Sequence, residues 1–191
     1  MSKILICVVS LLLLFVSCKK SPEADEAGSL VPFEVGSDMD IKPKFPLESR
    51  EKWKLIKVDS FHANHKGQFA FDGKPETFWH SPWKRGLLTK HPHEIQIDMG
   101  EELEIHGFTY LPRQDKTTNG TIKKYEFYAS QELGKWDKAH FTGVFACSKN
   151  NLGVQHIDFS SVKCRYIRLI ALEEINKKPW TCIAEFNVIV E

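Results

Sequence analysis

Residues 93–130 read HEIQIDMGEELEIHGFTYLPRQDKTTNGTIKKYEFYAS. Apolar and polar residues alternate over HEIQIDM (93–99), IHGFTYL (105–111) and KYEFYAS (124–130), and the intervals between them carry Met99-Gly100 and Asn119-Gly120. A period of two places successive side chains on opposite faces of a strand, and Gly or Asn-Gly supplies turn backbone between strands. The pattern continues on both sides as WKLIKV (53–58), VQHIDF (154–159), RYIRLIAL (165–172) and AEFNVIV (184–190), with Asp72-Gly73 and Asn150-Asn151 among the separating turns. From Trp53 on, no helical period lasts beyond about ten residues, and no internal repeat is visible. Seven or eight short strands at this spacing predict an all-β chain, a two-sheet antiparallel β-sandwich. In such a fold the strands are scaffold and function sits on the long connections, here 59–92, 112–122 and 173–183.

The rest of the composition bounds what the chain can be. Of 191 residues, 42% are hydrophobic and 12% aromatic, which excludes disorder for most of the chain. Lys and Arg number 26 against 25 Asp and Glu. Without Lys3 the balance is 25 to 25, too little positive charge for a binder of nucleic acid. Lys3, the apolar run Ile4–Val16 and Ser17 before Cys18 form a stretch too short to span a bilayer. On the residues alone it also reads as an ordinary secretory signal with Cys18 incidental; it resembles a bacterial lipoprotein signal, which implies cleavage after residue 17, acylation of Cys18, and a lipid-anchored protein at the bacterial outer membrane or cell surface. Residues 18–49 then read as the lipidated Cys and a flexible tether, rich in Ser, Pro, Gly and acids, and 50–191 as the folded domain. Cys147, Cys164 and Cys182 remain, compatible with one disulfide and a thiol or with three buried thiols.

Two groups of residues carry chemistry. Asp72, Gly73 and Thr77 make a tight acidic loop, and Glu185 lies in the last strand. Calcium takes six to eight oxygen ligands, mixing carboxylates with carbonyls in sharply turned loops. On the residues alone, an Asp-Gly turn with a surface Glu is the favoured reading. Trp79, His80 and Trp83 lie within five residues, and Arg113 follows the strand 105–111. A sugar presents hydroxyls in fixed directions and an apolar face of C–H groups, so its site needs an aromatic platform with a few polar partners. A planar guanidinium reaches two neighbouring hydroxyls, and an imidazole nitrogen serves one. Taken singly, Trp83 also reads as packing under a loop and Arg113 as pairing with Asp115. Trp79, directly after Phe78, reads as core.

The segments AFDGKPETFWHSPW (70–83), PHEIQIDMG (92–100), GFTYLPRQDKTTNGTIKKYEFYAS (107–130), RYIRLIAL (165–172) and PWTCIAEFNV (179–188) together resemble a coagulation factor 5/8 type C domain. The nearer likeness is to its bacterial branch, the family 32 carbohydrate-binding modules, over about residues 50–191. The resemblance implies a discoidin-like (galactose-binding-domain-like) jelly roll, a structural calcium, and binding of terminal sugars such as galactose or its N-acetylated form. It implies carbonyl ligands to calcium at Phe69, Lys74 and Ala184 beside Asp72, Thr77 and Glu185. Lys74 stands where the family often has Asn or Asp, so only its carbonyl serves. It implies a sugar pocket of His80, Trp83 and Arg113, with further contacts from Asn119 and Trp180, and Gln114 and Asp115 as supports of Arg113.

Other constellations carry less. His62, His65, His91 and His93 lack zinc-ligand spacing and a Cys partner. Glu101-Glu102 and Glu173-Glu174 sit side by side in expected turns, poor geometry for paired acid and base, and no nucleophile motif appears, so an enzyme is not expected. Asn119-Gly120-Thr121 reads as a hairpin turn. The sequence thus predicts a membrane-anchored glycan binder working alone or beside separate glycoside hydrolases. The alternative is a protein- or lipid-interaction module of the same fold, with Leu87-Leu88 among Lys84, Arg85 and Lys90 as its apolar tip.

Overall fold

A computed structural model describes residues 47–84 and 89–190. The expected signal 1–17, Cys18 with most of the tether, and the Leu87-Leu88 tip lie outside the described residues. Among the described residues there are eight strands: β1 Lys54–Val58, β2 Trp79–His80, β3 His93–Leu111, β4 Ile122–Ser130, β5 Phe141–Val144, β6 Gln155–Glu174, β7 Cys182–Ile183 and β8 Glu185–Val190. A 3-10 turn, Gly67–Ala70, interrupts the first long loop.

All strand pairings are antiparallel. The hydrogen-bonded order is β1-β3-β6-β4-β5, β8 also pairs with β3, and β2 pairs with β7 as a separate ribbon. Two layers arise because β3 and β6, at 19 and 20 residues, run through both. The first part of β3 (93–98) pairs with β1 and the latter part of β6, which carries β4 on its far side. The second part (105–111) pairs with β8 and the beginning of β6. The register breaks between Asp98 and Leu103, where the strands pass from one layer to the other. Between the layers Phe108 of β3 stacks on Phe127 of β4 at 4.7 Å and meets Tyr125 edge-on at 5.6 Å, with Phe186 of β8 at 5.4 Å. All four rings are essentially fully buried, each removing apolar surface worth about 1.5–3 kcal/mol.

Several expectations are corrected here. HEIQIDM and IHGFTYL are one strand, not two, as are VQHIDF and RYIRLIAL. Gly100 makes a bend inside β3: its φ is +87°, the Asp98 carboxylate accepts its N–H at 2.8 Å, and a Cβ there would lie 2.9 Å from the Lys52 carbonyl oxygen. Glu101-Glu102 therefore lie within β3 and Glu173-Glu174 at the end of β6, in strands rather than turns. Asn119-Gly120 is no hairpin, because β6 lies between β3 and β4. Residues 47–49, expected in the tether, run along β8: Leu47 bridges Ile189, and Glu48 donates its N–H to Val188 at 3.1 Å. Cys147, Cys164 and Cys182 are all free thiols.

Candidate functional site

The three long connections meet at one end of the sandwich, keyed by main-chain bonds. His80 pairs with Cys182 across the β2-β7 ribbon, and Ser81 donates its N–H to the Thr181 carbonyl at 2.9 Å while its hydroxyl accepts the Thr181 N–H at 3.0 Å. The Cys182 N–H reaches the Gly120 carbonyl at 2.8 Å. Gly120 is required there: its φ is +83°, and a Cβ would stand 2.9 Å from the Cys182 nitrogen. The 59–66 segment is stitched to β2 through His62 N–H to His80 O, 2.8 Å, and His80 N–H to His65 O, 3.2 Å.

This framework gathers His80, Trp83, Arg113 and Asn119. Trp83, 37% exposed, packs its ring at 79° to His80 with centroids 4.8 Å apart. His80 is nearly closed off, and its Nδ1 lies 2.6 Å from the Ser81 carbonyl oxygen. A carbonyl only accepts, so Nδ1 carries the proton and Nε2 is left as the acceptor of the neutral ring. Burial pushes the His80 pKa down to about 4 against the pull of the Ser81 and Asn119 carbonyls, with Arg113 repelling the charged form. The Arg113 guanidinium lies 4.4 Å over the Phe78 ring, is paired with Asp115 (Nε to Oδ1, 2.7 Å), and reaches the Asn119 carbonyl at 3.5 Å. Asp115 thus braces Arg113, whereas Gln114 instead bonds the Pro112 and Leu152 carbonyls. Trp79 is core, its indole N–H given to the Ser60 carbonyl at 2.9 Å.

The sequence reading did not place His62 and His65 here. His62 stacks on Trp83 at 3.8 Å and 12°, and His65 stacks on Phe78 at 4.2 Å. One face of the Trp83 platform is therefore backed by an imidazole. Their membership in the 59–92 loop was the only signal in the sequence. Trp180 belongs to the right loop, but among the described residues its indole makes no ring contact with His80 or Trp83, and its buried Nε1 has no hydrogen-bond partner. His91 and His93 stand apart from the His62–His65 pair: His93 bonds Asp59 and the Pro179 carbonyl, each at 2.8 Å.

A second acidic locus joins the 72–77 loop to β8. Asp72 accepts the Thr77 hydroxyl, at 2.9 and 2.7 Å from its two oxygens, and the Lys74 N–H at 3.0 Å; Gly73 turns the chain at φ +79°. The Lys74 carbonyl accepts the Thr77 N–H at 2.9 Å. Glu185 pairs through Oε2 with Arg50, which also gives Nη1 to the Phe186 carbonyl at 3.2 Å, while Oε1 is buried with no hydrogen-bond partner. Burial raises the Glu185 pKa, Arg50 opposes this, and the nearby Asp72 charge adds to it. Two repelling carboxylates and an orphaned oxygen beside turn carbonyls are a donor set that fits a hard divalent cation. Phe69, in the 3-10 turn, and Ala184, before β8, belong to the elements that pack together here. Among the described residues no three His, Cys, Asp or Glu side chains converge, so such an ion would rely on carbonyls as well.

The sequence profile of the F5/8 type C domain matches residues 55–186. The chain belongs to that family. The F5/8 type C match covers nearly all the described fold. "Galactose oxidase" of Gibberella zeae is 34% identical over 140 residues, 73% of this chain and 20% of that protein. "Sialidase" of Micromonospora viridifaciens is 37% identical over 145 residues, 74% of this chain and 22% of that protein. This chain thus spans about a fifth of the length of those relatives. Among solved structures, the Clostridium perfringens module CpGH89CBM32-5, in complex with GalNAc-β-1,3-galactose, is similar with a TM-score of 0.66 and 29% identity over 76% of this chain and all of that one. The all-β sandwich is accordingly of the discoidin-like type shared with family 32 carbohydrate-binding modules.

Proposed function

We propose that this F5/8 type C domain binds terminal galactose- or N-acetylgalactosamine-like sugars of glycans through His80, Trp83 and Arg113, with Asn119 at the rim. The observation that carries the reading is the exposed Trp83 ring set against His80 at 4.8 Å, on loops keyed to the one that holds Arg113. The ring offers a surface for sugar C–H groups, the neutral imidazole an acceptor at Nε2, and the braced guanidinium a fixed pair of donors. The sugar named in the structure of CpGH89CBM32-5 belongs to the same class.

The proposal extends to calcium held by Asp72, Thr77 and Glu185 with carbonyls of Phe69, Lys74 and Ala184, where Arg50 now supplies the positive charge. It extends also to placement: a lipid on Cys18 would hold the module at the bacterial outer membrane or cell surface, beside separate glycoside hydrolases.

Calorimetry with galactose and N-acetylgalactosamine tests the sugar site. Losing a hydrogen-bonding or stacking partner in a partly desolvated pocket costs about 1–3 kcal/mol, tenfold or more in affinity. Trp83→Ala should bring binding below detection with little change in melting temperature, since Trp83 is exposed. Arg113→Lys should weaken binding similarly, because an ammonium lacks the fork. Retained affinity in both variants, or no binding by the wild type, would refute the assignment.

A further inference from the structure

A cleft of about 520 Å³ opens where the Lys90–His91 segment meets the end of β6 and the turn after it. Leu172, 39% exposed, and Pro179 give it an apolar lining, and Lys90, Lys177 and Lys178 bring three ammonium groups. Two carboxylates, Glu173 and Glu174, line it as well, each with partners of its own. Glu173 is held by Lys123 and Lys124 at 3.3 and 3.0 Å. Glu174, fully buried, accepts the Asn176 and Lys178 N–H groups at 2.6 and 3.0 Å and the Asn176 amide at 3.1 Å. Among the described residues no acid pairs with Lys90, Lys177 or Lys178. On a chain of net charge +1 this is a local excess of positive charge: Lys90, Lys177 and Lys178, with Lys123 and Lys124 on Glu173, stand against two carboxylates.

The turn is also braced. Lys177 adopts a left-handed φ of 59°, its N–H bonded to the Glu174 carbonyl at 2.9 Å, and Asn176 ties the turn to the Thr118 hydroxyl at 3.1 Å. Burial and the neighbouring His93 push the His91 pKa down to about 4, so at neutral pH His91 presents an uncharged ring, its Nε2 3.1 Å from the Thr181 hydroxyl. An apolar lining and an imidazole with three free ammonium groups match a sugar ring bearing an anionic substituent better than a bare inorganic anion. The loop continues from the cleft through Thr181 to its bonds with Ser81, next to His80.

We infer that this cleft binds an acidic sugar residue, one bearing a sulfate ester or a carboxylate, on the glycan whose terminal sugar occupies the His80–Trp83 site. Only the link to a terminal sugar rests on the function proposed above. The full chain is passed over dextran sulfate, carboxymethyl-dextran and plain dextran. Wild type should be retained on one or both charged matrices, not on plain dextran, and released by about 0.5 M salt, where screening is strong. The two charged matrices separate sulfate from carboxylate recognition. The triple variant Lys90→Ala, Lys177→Ala, Lys178→Ala should bind roughly three- to thirtyfold more weakly, the combined effect of three exposed ion contacts. Lys135→Ala, Lys138→Ala, Lys149→Ala, which removes equal charge elsewhere, should not. No retention of wild type, or equal loss in both triple variants, overturns the cleft. In parallel, a galactose-terminated oligosaccharide with an inner sulfate should bind the wild type more tightly than its uncharged counterpart. If neither oligosaccharide binds while matrix retention still depends on the three cleft lysines, the cleft stands and the galactose reading falls. If both bind alike and retention ignores those lysines, the cleft falls and the galactose reading stands.

Discussion

Replacing Gly120 with Ala probes whether the loops of the candidate site are fixed by main-chain packing, and Gly134→Ala supplies its internal reference. Both glycines have left-handed backbone, φ +83° and +80°. A side chain in that region costs roughly 1 kcal/mol at either position. The surroundings differ. A Cβ on Gly134 meets nothing within 4 Å, whereas on Gly120 it would stand 2.8 Å from the Cys182 Cβ, 2.9 Å from its nitrogen and 3.0 Å from the Thr181 carbonyl carbon. Two of those atoms are backbone and cannot swing aside, so overpacking adds about 1–3 kcal/mol. At about 3–5 °C per kcal/mol for a domain of this size, Gly134→Ala should lower the melting temperature by roughly 4 °C and Gly120→Ala by about 6–20 °C. The displaced Thr181–Cys182 backbone also carries Ser81, so Gly120→Ala should weaken galactose binding even well below its melting point, and Gly134→Ala should not. Thermal melts followed by calorimetry on the two variants decide the matter. Equal melting shifts would show that the loop contact at Cys182 is soft and that the reasoning is mistaken.

If calcium binds the Asp72–Glu185 locus, a hundredfold excess over its dissociation constant adds about 2.7 kcal/mol by mass action; chelation should lower the melting temperature, Glu185→Gln should abolish the response, and a melt indifferent to chelator would remove the ion from the account. For His80 the folded pKa is about 4 and the ordinary value 6.5. Between these pH values the unfolded chain binds a proton that the folded one refuses, so stability is full above pH 6.5 and falls with acidification, by about 3 kcal/mol in all from this residue. His91 acts in the same direction, and unchanged melts from pH 7 to 4.5 would contradict both. Cys18→Ser should release the protein from the membrane fraction and leave the signal uncleaved; unchanged fractionation would dispose of the lipid anchor.

What the sequence disclosed tracks where short-range pattern and tertiary packing agree. The alternation in HEIQIDM is real, since Ile95 and Ile97 face the core, yet Glu94 and Gln96 are nearly as buried because Arg168 covers that face and bonds Glu94 at 2.6 Å. The bend at Gly100 looked like a turn because a left-handed glycine serves both; only the partner strand shows that β3 continues. β5 was invisible: FTGV has no distinctive pattern, and Gly143 is needed because a Cβ would come within 2.5 Å of the Tyr125 hydroxyl on the neighbouring strand. The grouping of His80, Trp83 and Arg113 was proposed from the sequence because their spacing follows a known family's order, and the fold sets the His80 and Trp83 rings 4.8 Å apart. The stacking of His62 on Trp83 was not legible, because it depends on main-chain bonds across eighteen residues, His62 to His80, that no local pattern encodes.

The run of Leu47 and Glu48 along β8 has a consequence for how the domain can be mounted. Leu47 lies beside Ile189, one residue before the last described position, while β8 begins at Glu185 opposite Leu111, the residue from which the chain passes into the Arg113 loop. Entry and exit therefore share one pole, and the loops that gather His80, Trp83 and Arg113 occupy the other, roughly 20 Å away along six residues of strand. Leu47 and Val190, the first and last described residues, thus lie at the same end of the sandwich, away from the loops that carry His80, Trp83 and Arg113. A pull applied at Leu47 would load the Leu47–Arg50 seam against β8 before any force reached those loops.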